Sequence, residues 1–191
     1  MVQFKKKQVR QAILDSAYDL FSERGYHSTT LQDVAVYAGV GVSSLYSYFP
    51  SKLYLLYAVF EPWHKDAFEQ LEKRVLRLKL PRERLRAVLL GLWRDIPSAN
   101  IGLTNSLMEA LASADPKQEK PIPLLRWTEE RLSKLLNHAL SVNGRVDRDA
   151  LSTLFIMAYD GFVINRRLND LRDIERLSDA MCDILLGPAA R

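Results

Sequence analysis

Apolar residues recur at every third or fourth position through almost the whole of this 191-residue chain. That spacing lines one face of an α-helix, and it leaves little from which to build a sheet. The alternating run VAVYAGVGV is filled by Ala35, Ala38, Gly39 and Gly41, which are poor strand residues. A first helix predicted over residues 4–24 places Val9, Ala12, Ile13, Ala17, Leu20 and Phe21 on one side. Arg10, Asp15, Asp19 and Glu23 lie on the other. Gly25 is its stop signal. HSTTLQD then offers Thr30 as an N-cap with Asp33 three residues on, a variant of the capping box. A short helix is predicted from Leu31 to Ala38, ended by Gly39. Another begins at Gly41 or Val42 and closes before Pro50. Ser51 can cap the next, whose apolar positions are Leu53, Leu56, Phe60, Trp63, Ala67 and Leu71. The expected fold class is all-α.

Between Asp33 and Glu61 lie 27 residues with a single charge, Lys52, in a chain that is 26% charged. A membrane span would need about 18 or more consecutive apolar residues, and Ser43, Ser44, Ser47, Pro50, Ser51 and Lys52 interrupt this stretch. Two short helices joined by about three residues around a glycine, braced by a longer helix in front, describe a helix-turn-helix. Leu45 and Phe49 are expected to face the core with Val34 and Ala35. The opposite face then presents Val42, Ser43, Ser44, Tyr46, Ser47 and Tyr48, with no carboxylate among them. A helix entering a major groove ~12 Å wide must be slim and must not repel phosphates. Serines permit close approach, tyrosine hydroxyls can donate to phosphate, and Lys52 stands where a backbone contact is expected. Thr30 and the tail residues Lys5, Lys6 and Lys7 complete the expected DNA-contacting set. Taken singly these are a helical corner, packing tyrosines and a solvated tail; their order and spacing together give the sharper reading.

The stretch AYDLFSERGYHSTTLQDVAVYAGVGVSSLYSYFPSK resembles the DNA-binding domain of the TetR/AcrR family of bacterial transcriptional regulators. It departs from that family's pattern at Gly41 in place of serine, Ser43 in place of glycine and Tyr48 in place of histidine. Glycine is tolerated at an N-cap. The resemblance implies a homodimer on a palindromic double-stranded DNA operator, and about nine helices. It divides the chain into a helix-turn-helix domain, residues 1–50, and a helical effector-binding and dimerisation domain, residues 51–191.

Beyond residue 60 the reading comes from pattern. Pro62 is expected to kink or break the long helix, Pro81 to end it, and Pro97 to close RERLRAVLLGLWRDI. LTNSLMEALASA, residues 123–142 and DIERLSDAMCDILLG read as further helices, and DPKQEKPIP as a loop. DRDALSTLFIMAYDGFVINRRL is apolar nearly all round, so more than one side must be covered. Leu151, Leu154, Phe155, Ala158 and Phe162 make one stripe, and Ile156, Tyr159 and Val163 another. One stripe would serve the monomer core and the other a partner subunit, with both internal as the plainer alternative. Gly161 would allow close helix approach, and Asp160 calls for a partner such as arginine.

Phe60, Trp63, Met108, Trp93, Trp127, Phe155 and Tyr159 fall on the inner helices. Each alone is a core residue. By resemblance they line a cavity for a hydrophobic effector of fatty-acyl, aromatic or multidrug-like type, with Arg126, Arg131, Arg166 and Arg167 leaving room for an anionic end. Enzymatic chemistry is not expected. His27, His64 and His138 lie on separate elements without a second ligand at metal spacing, and no Gly-rich phosphate loop follows a strand. No cofactor or metal is called for. The lone Cys182 sits in an apolar pattern and suits a reducing interior. Lys5–Lys7 lead into an amphipathic helix and not a signal-peptide core, so a cytoplasmic location is expected. The net charge of +4 permits a polyanionic partner without demanding one. A DNA-binding protein of the same fold without a small-molecule effector stays open as the alternative.

Overall fold

The computed structural model describes residues 2–114, 122–140, 147–170 and 172–187, with side chains from Lys6 onward and excepting that of Ile122. All regular structure among the described residues is helical. Helix α1, Val2–Ser28, is interrupted at Gly25, whose φ of 82° only glycine adopts readily. Then come α2, Leu31–Tyr37, and α3, Val42–Tyr48, capped by Gly41. Helix α4, Lys52–Arg77, runs on through Pro62 without ending there. Of the expected kink or break, the break is absent, and packing is kept across the proline: the Phe60 ring centroid lies 5.3 Å from that of Trp63 and 5.4 Å from that of His64. Helix α5 starts with Pro81 at its first turn, runs to Leu90, passes through a π-helical turn at Gly91–Asp95 and ends in Ile96–Ala99. Pro97 therefore does not close it. The wide turn carries Ile96 N–H back to the Gly91 carbonyl and accommodates the missing donor one residue on. The set is completed by α6, Ile101–Ser113, α7, Ile122–Ala139, α8, Arg148–Arg167, and α9, Ile174–Leu186. Of the loop expected at DPKQEKPIP, residues 115–123, residues 115–121 lie outside the described residues, and Ile122 and Pro123 already belong to α7, whose first turn tolerates proline.

Packing divides the chain into two compact units. Met1–His64 joins Asn100–Glu119 in the first, and Lys65–Ala99 joins Lys120–Arg191 in the second. In the first unit Ile13, Ala17, Leu20 and Phe21 of α1 share a core with Val34, Ala35, Leu45, Phe49 and Leu56. Helix α6 lies against α1 in the same unit. Ser106 Oγ donates to the Phe21 carbonyl at 2.7 Å, and Asn100 Nδ2 donates to Tyr18 Oη and Ser22 Oγ, each at 2.9 Å. The approach is close enough that a Cβ on Gly102 would sit 1.7 Å from the Ser22 carbonyl oxygen.

In the second unit Phe68, Val75, Leu85, Leu89, Leu132, Leu136, Phe155 and Cys182 are buried. Along α5 and α9 runs an arginine ladder. Arg82 meets Asp183 at 2.7 Å, Arg86 meets Asp179 at 2.7 Å and Glu175 at 3.5 Å, and Arg94 meets Glu175 at 2.7 Å. These side chains are 31–60% exposed, so each pair adds only about 0–1 kcal/mol.

The two apolar stripes expected on α8 are redistributed. Ser152, Phe155, Tyr159 and Val163 point inward, while Leu154, Met157 and Ile164 are 57%, 64% and 50% exposed. The first expected stripe thus mixes buried Phe155 with exposed Leu154, whereas in the second Tyr159 and Val163 are buried and Ile156 is half-buried; in a helix apolar nearly all round, spacing alone does not fix the rotation. Leu177 and Ile184 of α9 are exposed as well. On α8 a Cβ at Gly161 would meet open space. The arginine partner expected for Asp160 is not found among the described residues, and burial raises its carboxyl above the usual range.

Candidate nucleic-acid interface

The corner joining α1 to α2 is fastened from several sides within the first unit. The buried hydroxyl of Thr29 donates to the carbonyls of Gly25 at 2.8 Å and Leu20 at 3.1 Å, occupying acceptors that a helix end leaves over. Thr30 forms the expected capping box: its Oγ1 accepts from Asp33 N at 3.1 Å, and its own N–H donates to Asp33 Oδ2 at 3.0 Å. These bonds from Thr30, first its hydroxyl and then its N–H, hold the Asp33 carboxyl below the usual range. Glu109 of α6 accepts from the His27 N–H at 3.1 Å.

Lys52 occupies the same corner. Its Nζ donates to the carbonyls of Tyr26 at 2.8 Å and Thr29 at 3.0 Å, and stands 4.2 Å from the Tyr26 ring centroid. Burial pulls the ammonium below its ordinary range, against the pull of Glu109. The residue expected at a DNA phosphate thus also ties the corner together. Lys52→Met keeps the stem and removes the donors. It is expected to destabilise the DNA-free protein by about 1–3 kcal/mol, read by thermal denaturation. An unchanged melting curve would contradict this fastening.

The corner presents α3. Leu45 and Phe49 are buried, as expected. Ser43, Tyr46 and Ser47 are exposed, while Val42, Ser44 and Tyr48 are half-buried. Ser47 Oγ donates to the Ser44 carbonyl at 2.6 Å. No acid stands on this helix. Lys6 and Lys7 are exposed on α1, whereas the Lys5 side chain lies outside the described residues. Exposed groups on the neighbouring helices were missed in the sequence. Arg24 donates to Tyr37 Oη at 2.8 Å with its guanidinium 5.3 Å from that ring centroid. Tyr54, on the first turn of α4, is 63% exposed. Tyr37 could have been found from rotation alone, since Val34 and Ala35 point inward; the pairing of Arg24 with it could not.

The expected effector-lining residues do not form one group. Phe60, Trp63 and Met108 belong to the first unit, and Trp93, Trp127, Phe155 and Tyr159 to the second. Trp93 and Phe155 are brought together: the indole Nε1 donates to the Phe155 carbonyl at 3.0 Å, and the ring centroids are 5.3 Å apart. Trp127 packs instead on Phe68 at 5.7 Å, with Lys65 and Arg131 each 5.4 Å from its ring centroid. Tyr159 is buried. Of the four arginines, Arg131 is engaged by Glu72, Arg166 donates to Ser98 Oγ at 2.6 Å, and Arg126 and Arg167 are exposed. Burial lowers His64 to about 4, so it is neutral near pH 7.

Residues 13–59, which span this corner and α3, match the family described as bacterial regulatory proteins, tetR family. The HTH-type transcriptional repressor KstR of Rhodococcus jostii (strain RHA1) is 33% identical over 114 residues, covering 57% of this chain and 52% of that repressor. The chain thus spans about half the length of this curated relative. In fold it is similar to the transcriptional regulator FadR from Bacillus subtilis, solved in complex with stearoyl-CoA. The TM-score is 0.71 at 18% identity, over 95% of this chain and 100% of that one. AibR, solved with isovaleryl coenzyme A and operator DNA, gives a TM-score of 0.63 at 22% identity, over 95% of this chain and 99% of that one. At such identities the likeness is one of fold.

Proposed function

We propose, from the premise that this chain belongs to the tetR family of bacterial regulatory proteins, that it is a ligand-responsive transcriptional repressor binding operator DNA as a homodimer. The observation that carries the reading is the acid-free α3, its small and hydroxyl-bearing side chains outward, mounted on a corner fastened by Thr29, Lys52 and Glu109. Such a helix suits a major groove ~12 Å wide. Val42, Ser43, Ser44 and Ser47 meet base edges. Tyr46, Tyr48, Thr30, Lys52 and the tail lysines serve the phosphates, extended by Arg24, Tyr37 and Tyr54. Two copies joined through the outward faces of α8 and α9 read a palindrome whose half-sites lie roughly 34 Å apart or somewhat more. The protein acts in the cytoplasm, where its operator is.

The effector is a largely apolar molecule bound in the second unit beside the Trp93–Phe155 pair. The acyl-CoA ligands in the FadR and AibR structures support an acyl chain as that apolar part. By linkage it lowers operator affinity by the factor by which DNA lowers its own.

Anisotropy titration of a labelled operator at several salt concentrations tests the DNA reading. Tyr46→Phe is expected to weaken all sequences alike, by about 0.5–1.5 kcal/mol. Lys7→Ala should flatten the salt slope by about one. A change in base preference with the slope intact would contradict the phosphate assignments. Acyl-CoAs and hydrophobic libraries that leave the affinity untouched would favour a repressor without an effector.

A further inference from the structure

Where α5 meets the end of α8 and the start of α9, the second unit holds a groove of about 370 Å³. Its walls include Trp93, Phe162, Ile174, Arg94, Arg166 and Arg172. Trp93 and Phe162 make a tilted ring pair with centroids 5.2 Å apart. Two departures from regular backbone adjoin it. The π-helical turn Gly91–Asp95 carries Trp93 and Arg94, and Asn169, with a φ of 58°, is the one non-glycine in the left-handed region among the described residues. The left-handed Asn169 belongs to the cap of α8, its N–H donating to the Arg166 carbonyl at 3.0 Å and that of Asp170 to the Asn165 carbonyl at 2.9 Å; π-helical turns gather at functional sites because they re-aim side chains that a regular helix would point elsewhere.

The charges of the groove are nearly all matched. Arg94 meets Asp95 at 2.8 Å and Glu175 at 2.7 Å, and Arg172 meets Asp170 at 2.5 Å. Asp173 is committed to the N-cap of α9, accepting from Arg176 N at 2.9 Å. Arg166 alone among these arginines has no carboxylate partner in the described residues; its Nη1 donates to the Ser98 hydroxyl at 2.6 Å. A guanidinium carries five N–H donors, so Arg166 keeps donors and an uncompensated charge beside an aromatic floor.

We propose that this groove binds a small aromatic carboxylate, its ring against Trp93 and Phe162 and its carboxylate on Arg166. The size agrees: small-molecule pockets run about 300–1,000 Å³. A fork of parallel N–H donors matches a carboxylate better than any neutral group of the same shape. The groove shares Trp93 with the proposed effector site and is set apart from it by Phe162 and Arg166; its occupation does not depend on whether the protein binds DNA.

The test is an NMR titration of the three indole N–H signals of the full chain with 2-naphthoate and with its neutral isostere 2-naphthamide, the signals assigned by Trp→Phe variants. Naphthoate is expected to shift the Trp93 signal saturably, leaving those of Trp63 and Trp127 in place. Arg166→Gln should weaken naphthoate roughly tenfold or more without altering naphthamide, and Arg166→Lys should restore part of the loss. Unmoved Trp127 and Trp63 signals in the Gln variant establish that it is folded. A naphthoate response centred on Trp63 or Trp127, no saturable response at Trp93, or equal binding by Arg166→Gln would each overturn the proposal.

Discussion

Gly102→Ala is expected to lower the melting temperature by roughly 6–12 °C, corresponding to about 3 kcal/mol or more. The added Cβ would lie 1.7 Å from the Ser22 carbonyl oxygen and 2.6 Å from its carbonyl carbon. Both are backbone atoms of α1, three residues before its interruption at Gly25, so no rotamer change relieves the overlap and α6 must move away from α1. That movement pulls on Ser106, Asn100 and Glu109, which bind the Phe21 carbonyl, Tyr18 with Ser22, and the His27 N–H. Operator affinity should fall with stability. Gly91→Ala is the control. Its Cβ would meet Leu71 Cδ1 at 2.3 Å and Arg74 Nη2 at 2.9 Å, the ends of flexible side chains that can give way, so a smaller loss is expected. Equal melting temperatures for Gly102→Ala and the parent would mean that α6 does not pack this closely on α1.

Met157→Arg is expected to leave the fold intact and to weaken the proposed dimer at least a hundredfold, by roughly 3 kcal/mol. Met157 is 64% exposed in the single chain, on the side of α8 that also carries Leu154 and Ile164. A two-fold interface would bury the new charge twice, once from each subunit. Gly161→Leu makes a gentler second test, because open space surrounds that position within the chain and only a partner could be struck. Sedimentation velocity reads both variants, and circular dichroism checks that each is folded. A parent protein that sediments as a monomer at micromolar concentration would contradict the dimer. Phe155 and Phe162, which share one of the stripes read from the sequence, serve less well as test positions: Phe155 is buried and Phe162 packs on Trp93.

What could be read from the sequence was local. The capping box of Thr30 and Asp33, the interruption at Gly25, the Gly41 cap and the inward pair Leu45 and Phe49 all depend on neighbours within a few residues, and the structure holds each of them. What escaped was set by distant partners. Lys52 reads as a free cation on a surface until the Tyr26 and Thr29 carbonyls, 26 and 23 residues away, are placed around it. Gly102 has no signature of its own; the Ser22 carbonyl gives it meaning. The arginine ladder of α5 and α9 spans about a hundred residues of chain, for which helical spacing holds no information. Pro97 misled because the rule that proline ends a helix assumes a regular turn in front of it, and Gly91–Asp95 supplies a π-helical one. On α8, Leu154 and Phe155 are adjacent and equally apolar; the core decides which of them turns inward.

Selection of bound sequences from a random duplex pool tests the central claim most directly, run in parallel on the parent chain and on Ser43→Asp. Ser43 is exposed on α3, and an aspartate there would bring a carboxylate into a groove lined by phosphates. The parent is expected to enrich one inverted repeat, and Ser43→Asp, equally folded and equally dimeric, is expected to enrich none. A parent that enriches no symmetric sequence, or a variant that recovers the same repeat, would contradict DNA reading by the α3 face.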